Sequence, residues 1–208
     1  MLALVVAGGA ELSAHRTDEY LQAARLAIDQ ARVQIELDLT PGIALAATIL
    51  ADIDRNRDGS LSAEEQRAYG NQVLNALTLE LDGTPVRAQL AGTSFPDPEA
   101  MRRGEGTIRL QSAATLPRVS SGVHQLWFRN RHHPDRSVYL ANALAPQSNQ
   151  IAITAQRRDV DQTELTIDYL VRAAPARPAA GWLVGGIAVA TALSALLMRP
   201  LRANSVKR

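Results

Sequence analysis

The sequence predicts a mainly β protein, a β-sandwich of immunoglobulin-like architecture, interrupted once by a helix–loop–helix and followed by a long apolar helix. Three observations carry this. Short runs of alternating apolar and polar residues, separated by turn residues, make up most of the stretch from residue 20 to residue 171. Residues 43–77 abandon that period-two pattern for the spacing of helices. Residues 179–198 carry no charge at all.

The bulk composition permits a packed core, since 46% of the residues are apolar. Twenty-two basic residues stand against 21 acidic ones, a net charge of +1 with no basic block. Nucleic acid is therefore not an expected partner. Cysteine is absent, which excludes thiol catalysis, thiolate zinc sites, disulfides and a lipidated cysteine.

The elements follow in chain order. Residues 2–10 form a short apolar run, and Leu12-Ser13-Ala14 has the small-residue character of a cleavage site, so residues 1–14 are expected to be a signal peptide. Met1 leads into that run without a basic n-region, so the signal is expected to be truncated, and cleavage after Ala14 would leave His15 first. Residues 32–39 place Val33, Ile35, Leu37 and Leu39 on one face of a strand. After Pro41-Gly42, the positions of Ile43, Leu45, Ala46, Ile49, Leu50 and Ile53 predict a helix. A second helix is expected from Ser62, which with Glu65 makes a capping box, and Tyr69, Val73 and Leu77 continue it four residues apart. Strands at 77–81 and 86–90 flank Asp82-Gly83, a hairpin signal. Further strands are predicted at 107–112, 123–128, 137–140, 150–155 and 164–171, with Trp127 and Phe128 read as core.

The Pro- and Ala-rich residues 173–178 read as a linker. The apolar stretch 179–198 predicts a transmembrane helix, because 20 residues at 1.5 Å each cover about 30 Å, the thickness of the hydrocarbon layer. Trp182 suits one interface, and Arg199, Arg202, Lys207 and Arg208 make residues 199–208 a basic cytoplasmic tail. The expected location is the inner membrane, single-pass, with residues 15–172 forming an extracytoplasmic or periplasmic domain. Gly181 and Gly185 form a GxxxG pair through which a weak dimer is an expectation.

The chemistry concentrates in residues 54–65. Asp54, Asn56 and Asp58 offer side-chain oxygens at loop positions one, three and five, and Gly59 allows the sharp turn at six. Ser60 offers its carbonyl at seven, Leu61 turns inward at eight, Ser62 acts through a water at nine, and Glu65 closes the loop at twelve. This is the EF-hand pattern, within a helix–loop–helix spanning 43–77. It predicts Ca2+ as the cofactor, because a hard cation takes roughly six to eight oxygen ligands. Three ligating carboxylates and no second hand imply an affinity on the order of 10⁻⁵ to 10⁻³ M, suited to a structural clamp in a calcium-containing compartment. The opposing reading is a switch that opens to recruit a partner.

Together with the EF loop, three further segments resemble a bacterial family of EF-hand-containing, membrane-anchored extracytoplasmic proteins. They are the ten residues from His15-Arg16-Thr17-Asp18-Glu19-Tyr20 to Ala24, the strand at 33–39 with Asp38-Leu39-Thr40-Pro41-Gly42, and Arg129-Asn130-Arg131-His132. More distantly, the order of elements is similar to the N-terminal domain of bacterial nickel/cobalt exporters, which likewise begins at a histidine and sets an Asp/Gly loop between early strands. The resemblance spans most of residues 15–171 and implies a membrane transporter as one protein partner. One span here replaces the multi-helix transporter, so transport activity is not implied.

Four histidines remain, His15, His124, His132 and His133. His15 with His132 and His133 could take a transition metal through imidazole nitrogens, against a reading of the pair as a polar loop and of His15 as a flexible terminus. His124 reads as structural, and Arg129-Asn130-Arg131 as a solvated strand end. No GxSxG elbow, HExxH helix, P-loop or GxGxxG is present, so an enzyme is not expected. The leading expectation is a calcium-stabilised binding or interaction module with an unknown protein partner; the alternative is an accessory domain for nickel, cobalt or copper handling.

Overall fold

A computed structural model describes residues 18–173. The signal-peptide reading of 1–14, His15, residues 174–178 of the linker, the span at 179–198 with Gly181 and Gly185, and the tail all lie outside the described residues. No described helix is long and apolar enough to cross a membrane.

The described chain is mainly β, with 46% strand against 19% helix in two sheets. Its elements are β1 (Tyr20–Ile28), β2 (Arg32–Pro41), α1 (Ile43–Ile53), α2 (Ala63–Asn75), β3 (Leu77–Leu81), β4 (Thr84–Pro85), β5 (Gln89–Ser94), α3 (Pro98–Arg102), β6 (Ile108–Thr115), β7 (Gly122–Asn130), β8 (Ser137–Ala143), β9 (Ile151–Arg158) and β10 (Glu164–Val171). One sheet runs β5-β6-β2-β1-β8 and the other β4-β3-β7-β10-β9. The β1–β8 pair is parallel, with Tyr20 opposite Ser137 and Leu26 opposite Ala143.

Period-two alternation builds both sheets. Val33, Ile35, Leu37 and Leu39 all point inward from β2, and Leu165, Ile167, Tyr169 and Val171 from β10. These side chains join one buried cluster with Leu79 of β3, Phe128 of β7, Ile49 and Ile53 of α1, and Tyr69 and Val73 of α2. The two sheets and two helices therefore share a single core, and the helices are anchored by apolar burial rather than held at the surface.

Four features differ from the sequence-based expectation. Residues 20–28 form a strand, buried at every second position, where none was predicted. The arm after Asp82-Gly83 is only Thr84–Pro85; Val86 donates once more to the Leu79 carbonyl, and the chain then crosses to become β5 of the other sheet. Proline has no N–H to continue a ladder, which favours the exit there. The turn itself is as expected, since Asp82 at φ +49° and Gly83 at φ +77° form the left-handed pair of a type I′ hairpin. The short α3 was also not predicted; Asp97 caps it by accepting from the Glu99 and Ala100 amides. Finally, Phe128 is core but Trp127 lies on the opposite face, its ring 5.0 Å from the Arg129 guanidinium and its Nε1 donating to Glu164 at 3.3 Å. Adjacent residues of a strand point to opposite faces, so only one of the two could be core.

Candidate metal centre

α1 ends at Ile53 because Asp54 leaves helical geometry while still donating its amide to the Leu50 carbonyl at 2.8 Å. The chain then winds through a loop whose acids accept the loop's own amides. Asp54 takes the Asp58 and Gly59 amides at 3.1 and 2.9 Å. Asn56 Oδ1 takes the Asp58 amide at 3.0 Å, and Asp58 Oδ1 takes that of Ser60 at 2.8 Å. Two residues adopt left-handed backbone, Arg57 at φ +60° and Gly59 at φ +83°. Gly59 is the sequence-predicted pivot, and an added Cβ there would meet nothing within 4 Å, so the requirement is conformational and not steric.

Glu65 ties the two ends of the loop together. Its Oε1 accepts the amides of Arg55 and Asn56 at 3.0 and 3.4 Å, just past α1. Its Oε2 accepts the Ser62 amide at 3.0 Å and the Ser62 hydroxyl at 2.8 Å, at the start of α2. With Ser62 Oγ accepting the Glu65 amide, the predicted capping box is complete. The Ser62 hydroxyl first, then the amides of Ser62, Asn56 and Arg55, hold the Glu65 carboxyl below its ordinary range, so it is an anion at neutral pH. Leu61 is half-buried and packs against the core. The donor set of side-chain oxygens and one bridging carboxylate suits a hard cation. In the described residues, however, no group of three or more His, Asp or Glu side chains is gathered for a metal; the carboxylates face amides instead.

Beside the loop, the structure assembles a buried polar cluster that spans four elements. Tyr20 of β1 and Tyr69 of α2 share a hydrogen bond at 2.8 Å, and the Tyr69 hydroxyl lies 3.2 Å from His132 Nε2. The His132 carbonyl accepts from Gln22, Tyr139 and Ser137, and Asn130 donates to Gln22 while accepting the His132 amide. Burial pushes the His132 imidazole down to about 3, with the adjacent His133 adding to the effect, and burial raises both tyrosines well above their ordinary value. The cluster is therefore neutral at physiological pH. The His132 and His133 rings lie 4.2 Å apart, and His133 Nε2 is 3.6 Å from Asp52 Oδ2 at the end of α1.

Sequence reading expected the pair as metal ligands or as a polar loop. The structure brings His132 and His133 together but buries His132 and engages its Nε2 with Tyr69. Asn130, read as part of a solvated strand end, is also buried. Tyr20, Gln22 and Tyr139 were not singled out; the one available signal was a polar Gln22 at an inward position of the alternation from Tyr20 to Ile28. His124 bonds Asp82 at 2.8 Å and the Ser120 carbonyl at 2.9 Å, pinning the hairpin turn to β7. Burial opposes its charged form, but these two partners outweigh it and its pKa rises. No family model, curated protein or solved structure matches this chain.

Proposed function

We propose that this chain is a calcium-binding, membrane-anchored extracytoplasmic module: an immunoglobulin-like β-sandwich carrying one EF-hand at 54–65. It acts by binding and display, not by catalysis. The observation that supports this best is Glu65. One carboxylate joins the residues that leave α1 to the cap of α2, and both helices are seated in the common core. A cation at that loop would replace amide contacts with stronger ionic ones and lock the helix pair onto the sheets. A structural role is favoured over a switch because Ile49, Ile53, Tyr69 and Val73 are buried, so opening the hand would expose core.

Calorimetric titration of calcium into the purified chain tests the reading. One equivalent should bind, and Glu65→Gln should weaken binding at least tenfold, since the bidentate ligand is lost. Equal affinity in that variant, or no uptake by either protein, would overturn it. A second reading, divalent transition-metal handling, draws on the close approach of His132 and His133 beside Asp52. It expects Ni2+ or Cu2+ binding that His133→Ala removes and Glu65→Gln leaves alone, measured in the same way.

A further inference from the structure

Two clefts adjoin along the flank of α2. One, of about 350 Å³, opens between the end of α2, β3 and the β4–β5 connection; the other, of about 520 Å³, lies between α2 and β5. They share Asn71 and Ala88, so they form one groove. The first has an apolar floor that reaches the core through Ile35 and Leu79. The second has a mixed lining that includes the consecutive residues from Ala88 to Thr93. A strand seen on its face contributes every second residue; one that contributes every residue presents its edge. Among the described residues β5 is the edge strand of its sheet, paired with β6 alone.

The charge of the groove has one sign. The charged residues among its lining are Arg67 and Arg87, both exposed. Neither forms an ion pair or a side-chain hydrogen bond with any described residue, whereas Arg25, Arg103, Arg136 and Arg157 each sit on a carboxylate. We propose that this groove binds an extended acidic peptide segment, which adds to the edge of β5, places an aliphatic side chain against Ile35 and Leu79 at the floor of the first cleft and offers carboxylates to Arg67 and Arg87. Main-chain hydrogen bonds at a free strand edge supply affinity in this mode, and side-chain pockets supply selectivity. Guanidinium groups without an internal partner are matched to carboxylates by their paired donors. The inference does not depend on calcium, although α2 begins inside the 54–65 loop and forms one wall.

The test uses the full chain and a dye-labelled, end-capped hexapeptide alternating glutamate with leucine, followed by fluorescence anisotropy in saturating calcium and in chelator. Binding should weaken about tenfold in the R67Q/R87Q double variant and on replacing glutamate by glutamine in the peptide, and it should fall as salt rises. Thermal unfolding of the double variant should match that of the parent, because both side chains are exposed. Equal binding by the double variant, or equal binding of a lysine–leucine peptide, would overturn the groove assignment. Loss of calcium binding in the parallel titration would bear on the loop alone; arginine-dependent peptide binding with or without calcium supports the groove.

Discussion

His132 sits neutral in the core because Tyr69, Tyr20 and the side-chain partners of its own carbonyl satisfy the cluster without charge. Its folded pKa of about 3 lies below the ordinary 6.5, so the unfolded chain takes up a proton that the folded chain refuses. Stability from this group is therefore complete above about pH 6.5 and declines as pH falls toward 3, by about 1.4 kcal/mol per unit in mid-range. His124 has the opposite sign: its raised pKa adds stability below the unfolded value that is lost as pH rises through the folded one. Urea midpoints between pH 6.5 and 4.5 should thus fall for the parent and flatten for His132→Gln; a parallel slope in the variant would refute the assignment. Glycines divide by cause in the same way. Gly104 has φ +73° and an added Cβ would stand 2.3 Å from Ile43 Cγ1, while Gly59 has only the backbone requirement. Gly59→Ala should cost about 1–2 kcal/mol and Gly104→Ala more, both read from denaturant unfolding.

α2 is the element on which the candidate site turns. Its N-terminus carries the capping box and the bridging Glu65, and its far end is held by the Arg131 amide on the Ala76 carbonyl at 3.0 Å. Midway, Gly70 lets the helix approach β5, since a Cβ there would lie 2.9 Å from Leu90 Cδ2. Ser62→Ala removes a cap and should lower stability by about 1 kcal/mol in chelator, with a further loss of calcium affinity in titration. If calcium affinity fell with no change in chelator, the cap would be energetically idle. The capping box was legible because it is a local pattern of two side chains three residues apart. β1 was not, because its inward row includes Gln22 and Ala24, and its partners are Asn130, Ser137 and the His132 carbonyl. A buried glutamine reads as a strand residue only once such distant partners exist.

For the molecule as a whole, the single core couples the helix pair to both sheets, so ligand binding at 54–65 is expected to stabilise the entire domain and not a local loop. At a hundredfold excess of calcium over Kd the gain should be about 2.7 kcal/mol, seen as one cooperative thermal transition moving upward. A shift confined to a minor early transition would show instead that the helix pair melts apart from the sheets. Leu37 and Phe128 are both buried in that core, and truncating either to alanine should cost about 2–5 kcal/mol in both calcium and chelator.

The mainly β class, the helix–loop–helix, the order of the oxygen-bearing residues in the loop and the Asp82-Gly83 turn were all readable from the chain, because each depends on spacings of a few residues. Sheet assignment was not. The β1–β8 parallel pair joins residues more than a hundred positions apart, and the crossing from β4 to β5 sends neighbouring strands to different sheets. Nor could spacing reveal that Tyr20, Tyr69 and His132 meet, or that Arg67 and Arg87 line adjoining clefts. Local periodicity selects the kind of element a segment forms; which elements touch depends on how all of them bury their apolar faces at once.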